Sequence, residues 1–552
     1  MMMLAHRAAR ASLLATRRTP LLLTSCARTL HATPSQLKPS LDPSSSSTTP
    51  TPPPFAPAPT SSSPKKNLGK EEGTIASVFA SLSGGILEDA LPDRFSLLKQ
   101  SLISSPQHVE HLKSTWKSVL SLLSAKVAET ERLGGGCIPE ITYPSGSSSV
   151  GPLESWTDKA TFQAIKDRGV AVIRNVIPSR QALQWKEDIK SYAKQNGAKG
   201  FPASNPQVYE LYWTPAQLAA RSHPNLLTTS QRFLSLFRKP STPTSTCTGV
   251  ETACSLTNPL TYVDRLRIRQ PGDAQFALGA HIDGGGVERW ECSNFRGLWS
   301  NILQDGSNWS SHDPWSLGEG GERMTARTDM YDGPGQCGVF RPLQGWLSLS
   351  HTRAGEGTLR VLPFLRESTA YIILRPFFTH LKPASSFSSP SQFLDASNWV
   401  FDGTSWKFPG CSLGHNIELS PETHPHLELE KTMVSIPDVR PGDMVLWHCD
   451  AVHSVEKKHG GVGDSSVLYI PAIPTTKVNW EYVMEQKKCF DEGRPPPDFP
   501  GGSGESGFKG RGTEEMVNGG LARTSMGLER FDLRMAENEE ERRLLEWCNA
   551  NM

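Results

Sequence analysis

A histidine and an aspartate two positions apart are the first residues of this chain whose types and spacing suit metal binding. His281 and Asp283 stand in ALGAHIDGGG at 277–286, and a further histidine, His453, follows far downstream in GDMVLWHCDAVHSVE. Side chains alternate with a period of two along a strand, so His281 and Asp283 can project to the same side. Two imidazoles and one carboxylate on one side of a metal suit Fe(II) centres that must also bind O₂ and an organic molecule. We therefore predict that His281, Asp283 and His453 bind iron.

The short spacing is weak support by itself, because four His-x-Asp or His-x-Glu pairs occur among 15 histidines: His108/Glu110, His281/Asp283, His426/Glu428 and His448/Asp450. The first pair lies in a predicted helix, where residues i and i+2 do not share a face. The third lies in an acidic loop and is interpreted as part of a solvated turn. The fourth ends a strand, but only two histidines follow it, too close to come from a returning strand. The pair at 281 and 283 has several predicted strands and a distant histidine downstream.

Two residues compete for the role of distal ligand. His448 alternates with Met444 and Leu446 on one strand face, as a packed core histidine would, whereas His453 comes just after that strand. We predict His453 as the ligand and keep His448 as the alternative. His448 or Asp450 could then orient a metal-binding histidine by contacting the ring nitrogen that does not bind the metal.

The elements that must position these residues are mostly short strands. Between 258 and 480, short apolar runs are separated by Gly, Pro, Asp and Ser, which predicts a β-sandwich or barrel. A strand at 169–178 followed by a helix from 179 to 193 precedes them. Two stretches, 288–335 and 380–430, do not fit strands and are interpreted as long insertions.

The remaining segments follow from composition. Residues 1–37 are interpreted as a presequence, 38–74 as a disordered linker rich in Ser, Thr and Pro, and 75–136 as a helical hairpin. The domain at 137–500 contains the two insertions, and 501–552 form a C-terminal loop and helix.

The N-terminus predicts a mitochondrial matrix protein. The basic residues there include Arg7, Arg10, Arg17, Arg18, Arg28 and Lys38, and no acidic residue precedes Asp42. A basic, acid-free stretch that contains serine is typical of a mitochondrial presequence, whereas a secretory signal needs a longer unbroken apolar run.

Net charge and cysteine spacing exclude several classes of function. The chain has 57 basic and 56 acidic residues, so no overall basic field favours nucleic acid. No uncharged apolar run of about 18 residues occurs beyond the N-terminus, so no membrane span is expected. The ten cysteines form no CxxC pair, so their spacing indicates neither a zinc-binding motif nor a disulfide scaffold. The partner expected on these grounds is a small molecule or another protein, and we predict a small-molecule substrate.

Three segments in the same order resemble the Fe(II)/2-oxoglutarate dioxygenases, nearest to the phytanoyl-CoA hydroxylase-like branch: GVAVIRNVIP with its helix, IRQPG to HID, and PGDMVLWH to HS. The strings HIDGGGVERW and GDSSVLYIPAIP are similar to a bacterial and fungal group catalogued as domain of unknown function fourteen seventy-nine. The resemblance covers about 150–500. It implies a mainly β fold with a double-stranded β-helix (jelly roll) core flanked by N- and C-terminal helices. It also implies Fe(II), 2-oxoglutarate and O₂ used to hydroxylate a small organic substrate.

The chain departs from that superfamily in one respect. An arginine that binds the far carboxylate of 2-oxoglutarate usually follows the distal histidine by about ten positions, and Gly461 to Val467 contain none. Either another strand supplies the cation or the co-substrate differs. For the first alternative, DRLRIRQPG places Arg265, Arg267 and Arg269 on one strand face. We predict that Arg269 binds 2-oxoglutarate, with Arg375 as the next candidate.

Two alternatives remain open at this point. The chain could be a non-catalytic jelly-roll binding protein that has lost its metal. It could also be an Fe(II) enzyme that does not use 2-oxoglutarate, which the missing arginine favours.

Overall fold

The computed structural model describes residues 90–552 apart from 145, 147–150, 239–248, 276 and 334–335. The predicted presequence and linker, and the first part of the predicted helical hairpin, lie outside the described residues. The strands, numbered in chain order, are β1 Glu140–Thr142, β2 Val170–Arg174, β3 Gly200–Phe201, β4 Val208–Tyr209, β5 Cys254–Leu260, β6 Leu266–Arg269, β7 Ala280–Ile282, β8 Leu343–Ser348, β9 Leu359–Val361, β10 Phe378–His380, β11 Trp399–Phe401, β12 Ile417–Leu419, β13 Val434–Ser435, β14 Met444–His448, β15 His453–Val455, β16 Ser465–Tyr469 and β17 Ile473–Thr476.

Helices surround these strands and contain more residues than they do. They are α1 Arg94–Ser101, α2 Pro106–Leu133, α3 Lys159–Arg168, α4 Ser179–Asn196, α5 Pro215–Arg221, α6 Pro224–Leu234, α7 Glu288–Glu291, α8 Ser293–Gly297, α9 Ser300–Leu303, α10 Glu322–Thr325, α11 Leu365–Leu374, α12 Pro390–Leu394, α13 Leu429–Thr432, α14 Lys477–Glu492, α15 Gly520–Ser525 and α16 Glu539–Ala550. The described part of the chain therefore combines many strands in sheets with a larger number of helical residues, whereas the sequence predicted a mainly β chain.

The larger sheet has eight strands in the order β1-β2-β14-β8-β16-β6-β4-β3. Its neighbours pair antiparallel except β1 and β2. The central strands β2, β14 and β8 are buried almost throughout, because their residues are mostly apolar on both faces. The face that carries Arg267, Arg269, Gln344, Trp346 and Trp447, as the pairing register shows, is called the inner face below.

The smaller sheet has five strands in the order β12-β7-β15-β9-β13. His453 is the direct partner of both His281 and Val361, so these three side chains share one face. Val361 belongs to the core cluster of the larger sheet, and the ring of Trp447 on the inner face lies 5.2 Å from that of His453. The two histidines therefore project between the two sheets.

The other face of the smaller sheet is covered by helices. Ile282 and Ile417 share a second apolar core with residues of α1, α2 and α11. In that core the ring of Trp116 on α2 stacks on Phe378 at 4.3 Å and on Tyr371 of α11 at 5.3 Å. This helical layer packs against the face of the smaller sheet that is opposite to the two histidines.

The two predicted insertions differ in structure. The first, 288–335, contains the short helices α7 to α10 and no strand among its described residues. The second, 380–430, was expected to lack strands, but it contains β11 and β12, and β12 pairs with β7 through Glu418 and His281. Strands of only three residues have too few alternations for sequence periodicity to reveal them.

Among residues 90–552, with the gaps named above, no helix combines the length and the apolar character needed to cross a lipid bilayer.

Candidate metal centre

Two imidazoles meet on neighbouring strands. His281 on β7 and His453 on β15 are direct partners across the antiparallel pair, and their ring centroids are 4.2 Å apart. Residues opposite each other in an antiparallel pair point to the same side of the sheet. The fold thus brings together two histidines that are far apart in the chain.

Asp283 completes the group at the end of β7. Its Oδ1 lies 3.6 Å from Nε2 of His281, and its Oδ2 lies 3.7 Å from Nε2 of His453. One candidate ligand atom from each residue lies within 4.8 Å of the other two. Gly284 and Gly285 then adopt φ angles of 76° and 101°, which glycine accepts without strain, and turn the chain away directly after the carboxylate.

Backbone carbonyls orient both imidazoles. Nδ1 of His281 lies 2.7 Å from the carbonyl oxygen of Gly279, and Nδ1 of His453 lies 3.1 Å from that of Ala451. A carbonyl can only accept a hydrogen bond, so each Nδ1 carries a proton, and in the neutral form of such an imidazole the lone pair lies on Nε2. This arrangement is typical of histidines that bind metals through Nε2.

The protonation states also suit a cation. The pKa of His281 is lowered to about 4, mainly by burial and then by His453, while Asp283 opposes the shift. Burial raises the pKa of Asp283, but its contact with His453 and nearby positive charges, including Arg341, hold it well below the usual range. At neutral pH a neutral His281 therefore stands beside a charged carboxylate, as divalent metal binding requires. The donor set of two nitrogens and one oxygen on one side fits Fe(II).

Two residues that sequence reasoning missed lie beside the Asp283 carboxylate, and one of them donates a hydrogen bond to it. Asn416, just before β12, donates from Nδ2 to Oδ1 at 3.3 Å. Arg341, just before β8, has Nη2 at 3.7 Å from Oδ2. Neither stands in a motif with the histidines, so no spacing in the sequence indicates these contacts.

A cavity opens beside Asp283, with about 520 Å³ of empty space, part of it continuous with solvent. Its walls are formed by Asp283, Gly284, Arg289, Phe295, Leu298, Arg323, Ala326, Thr328, Cys337, Val339, Phe340, Arg341, Gln344, Cys449 and Asp450. The segment 288–335 forms much of this wall. Its tryptophans Trp290, Trp299, Trp309 and Trp315 are buried in the protein core and are absent from the wall.

His448, the alternative distal ligand, lies apart from this group. It follows Trp447 on β14 and so projects from the opposite face of the larger sheet. Its Nε2 lies 3.0 Å from the carbonyl oxygen of Pro314, and its Nδ1 accepts a hydrogen bond from the backbone N–H of Asp450. The structure therefore groups His453, and not His448, with His281 and Asp283. His448, Cys449 and Asp450 do cluster, but two arginines already neutralise Asp450, which disfavours a cation there.

The position of His448 predicts an acid-sensitive contribution to stability. Its pKa is lowered to about 3, mainly by burial, against an ordinary value of about 6.5. The unfolded chain therefore binds a proton that the folded chain excludes, and stability falls as the pH drops from about 6.5 toward 3. We expect His448→Gln to reduce the slope of unfolding free energy against pH by about 1.4 kcal/mol per unit in that window. Urea unfolding of metal-free protein at several pH values measures this, and an unchanged slope would contradict it.

Arg269, predicted to bind 2-oxoglutarate, is fully buried and its donors are occupied. Nε donates to Asp273, Nη1 to the carbonyls of Glu456 and Gly357, and Nη2 to those of Asp273 and Lys457. Arg269 is also absent from the wall of the cavity. These contacts argue against the prediction, because no N–H of the guanidinium is left for a carboxylate.

The second candidate, Arg375, is engaged in the helical layer. It donates to the carbonyls of Thr423 and Phe378 and stacks over Trp399 at 4.9 Å. Arg375 is likewise absent from the cavity wall.

Comparison with known proteins finds relatives over most of the chain. An uncharacterized protein of Escherichia coli (strain K12), YbiU, is 31% identical over 463 residues, which cover 80% of this chain and 97% of YbiU. The crystal structure of GlcNAc Inducible Gene 2, GIG2 (DUF1479), from Candida albicans is 30% identical with a TM-score of 0.71, covering 84% of this chain and 95% of that one. A Salmonella typhimurium LT2 structure titled "Putative Oxidoreductase" is 27% identical with a TM-score of 0.65, covering 80% and 99%.

The resemblance to the group numbered fourteen seventy-nine is thereby confirmed, since GIG2 carries that designation. The pattern of the Gig2-like family matches residues 89–528, which include all three residues of the candidate metal centre. This chain belongs to the Gig2-like family.

Proposed function

We propose that this chain is a non-haem Fe(II) oxygenase that uses 2-oxoglutarate and O₂ to hydroxylate a small organic substrate. His281, Asp283 and His453 are the metal ligands in this proposal. The observation that carries it is the convergence of their ligand atoms within 4.8 Å of one another, next to a cavity. The Salmonella relative's title, which names an oxidoreductase, supports the reaction class.

The proposal includes a jelly-roll core of the phytanoyl-CoA hydroxylase-like kind. Two sheets dominated by antiparallel pairs, with side chains packed between them, support this assignment. The ligands would lie at the inner side of the smaller sheet, which keeps the metal away from bulk solvent. His281 and His453 are nearly fully buried there.

Bound Fe(II) would supply the activation of O₂ that couples conversion of 2-oxoglutarate to succinate and CO₂ with hydroxylation of the substrate. The residues of the chain have positioning roles. Carbonyls of Gly279 and Ala451 direct the two Nε2 atoms toward Asp283. Asn416 holds Oδ1 of Asp283 and so restricts rotation of the carboxylate. We place the organic substrate in the cavity beside Asp283, which is continuous with solvent.

Arg267 replaces Arg269 as the candidate for the far carboxylate of 2-oxoglutarate, because the N–H donors of Arg269 already bind neighbouring groups. Arg267 lies two residues before Arg269 on the inner face and is buried; like Arg269 and Arg375, it does not line the cavity beside Asp283. An arginine between the sheets can bind a carboxylate through two parallel hydrogen bonds.

Substitution separates the two arginines. We expect Arg267→Gln to raise the KM for 2-oxoglutarate about 10- to 100-fold, since hydrogen bonds to charged groups are worth roughly 1.5–3 kcal/mol. Arg269→Lys is expected to lower stability and leave that KM within about threefold, because the N–H groups of Arg269 bind backbone. If Arg269→Lys raised the KM for 2-oxoglutarate and Arg267→Gln left it unchanged, the far carboxylate of 2-oxoglutarate would be assigned to Arg269.

Succinate formation tests the proposed function. Purified protein is mixed with Fe(II), 2-oxoglutarate and O₂, alone and with a pool of small-molecule cell extract. We expect succinate from the wild type and none above background from His281→Ala. Equal succinate from both proteins, or none from either in any pool, would contradict the proposal. Iron content separates the alternatives: a non-catalytic binding protein would bind no iron, whereas an Fe(II) enzyme without 2-oxoglutarate would bind iron and form no succinate.

We also propose that residues 1–37 direct the chain to the mitochondrial matrix. The basic residues and the absence of acidic ones before Asp42 support this location.

A further inference from the structure

The cavity wall beside Asp283 contains more positive than negative side chains. Arg289, Arg323 and Arg341 face two carboxylates, Asp283 and Asp450. The wall therefore carries one excess positive charge. Excess charge is costly in a buried site unless an opposite charge neutralises it, so this imbalance favours an anionic ligand.

Two of the arginines, Arg289 and Arg323, bind the same carboxylate, that of Asp450. Nη1 of Arg289 donates to Oδ1 of Asp450 at 2.8 Å, and Nη2 of Arg323 donates to Oδ2 at 2.9 Å. All three residues are buried. One carboxylate thus serves two guanidinium groups, which leaves the group positive. Nε of Arg289 has no hydrogen-bond partner in the described part of the chain.

Arg341 is the arginine available to a ligand. Its contact with Asp283, at 3.7 Å, is longer than a hydrogen bond. The guanidinium lies over the ring of Tyr262 at 5.2 Å from its centroid. Within residues 90–552, as far as the structure describes them, its side chain donates no hydrogen bond. Its five N–H donors are thus held beside the cavity without an acceptor.

A metal ion on Asp283 would draw the charge of that carboxylate away from Arg341. Metal binding would therefore increase the positive character of the wall.

The rest of the cavity determines what else the ligand carries. Phe295, Leu298, Val339 and Phe340 present apolar surface in the same cavity as Arg341. We infer that the substrate is an organic acid whose carboxylate binds Arg341 and whose apolar body packs against these four side chains. This inference rests on the proposed function for its claim that the bound acid is the substrate.

Matched pairs of ligands test the inference without requiring turnover. The purified chain is titrated by calorimetry under argon with hexanoate and hexanamide, and with phenylacetate and phenylacetamide, with and without Fe(II) and 2-oxoglutarate. We expect at least one acid to bind about 10- to 100-fold more tightly than its amide when Fe(II) and 2-oxoglutarate are present.

Variants assign the preference to one residue. Arg341→Gln is expected to abolish the preference for the acid, and Arg341→Lys, which keeps the charge and is safer for folding, to reduce it. Arg353→Gln is the matched control, because Arg353 is exposed and pairs with Asp438 on the surface. If no acid binds more tightly than its amide, or if Arg341→Gln keeps the preference, the inference is overturned.

Succinate assays on the same protein preparations, run in air with Fe(II), 2-oxoglutarate and the small-molecule pools described above, distinguish this inference from the proposed function. A preference for acids that depends on Arg341, without succinate, would overturn the oxygenase proposal and support an anion site. Succinate formation without any preference for acids would overturn the anion site alone.

Discussion

Replacing His453 with alanine is expected to remove iron from the protein and to lower succinate formation on the order of a thousandfold or more. Metal catalysis supplies several kcal/mol of transition-state stabilisation, and each 1.36 kcal/mol corresponds to about a factor of ten in rate. His281 and Asp283 would keep only one nitrogen and one carboxylate in place, which cannot hold Fe(II) firmly. Elemental analysis after anaerobic loading with Fe(II) measures the first effect, and succinate formation measures the second.

His448→Gln is the matched control for this substitution. His448 is only five residues earlier and equally buried, but it projects from the opposite face of β14 and contacts the carbonyl of Pro314. We expect His448→Gln to keep about the iron content of the wild type. Iron retained by His453→Ala and lost from His448→Gln would show that the distal ligand has been assigned to the wrong histidine.

Asp450→Asn is expected to lower the free energy of unfolding by about 3–5 kcal/mol, as removal of one partner from a buried ion pair commonly does. Asp450 is the shared acceptor of Arg289 and Arg323, and both guanidinium groups stay buried after the change. Burial raises the pKa of Asp450, but Arg323 and Arg289 lower it well below its usual range, so the wild-type residue is charged at neutral pH. Urea unfolding at pH 7 measures the loss.

Asp438→Asn provides the comparison on the surface. Asp438 pairs with Arg353 and His351, and all three side chains are about half exposed. Exposed ion pairs contribute roughly 0–1 kcal/mol, so this variant should unfold close to the wild type. A loss of less than about 1 kcal/mol for Asp450→Asn would mean that the two arginines find other acceptors.

Several elements could be predicted because their cause is local. GVAVIRNVIP predicts a strand at 169–178, and β2 spans Val170–Arg174, since branched apolar residues suit a buried pleated strand. The helix predicted from 179 to 193 is α4, Ser179–Asn196. By contrast, β12 went unpredicted within 380–430, because a three-residue strand forms through its pairing with β7.

The arginines show the limit of such reasoning most clearly. Arg267 and Arg269 have the same residue type and share a strand face, so sequence spacing does not distinguish them. The difference arises from the carbonyls of Glu456 and Lys457, which the segment after β15 brings to Arg269. Arg341, which no motif indicates, lies beside Asp283 because β8 begins just after it.

Residues 277–286 are enough to show that His281 and Asp283 can face one side of a strand, because alternation is a local property of extended backbone. The segment around 444–455 likewise restricts the distal ligand to two histidines near the end of one strand. The choice between these histidines depends on long-range pairing: β15 pairs with β7 and so places His453 opposite His281, and Trp447 faces that site while His448 lies on the opposite face of β14. Side-chain direction follows from neighbouring residues, whereas partners across a sheet depend on how distant segments pack.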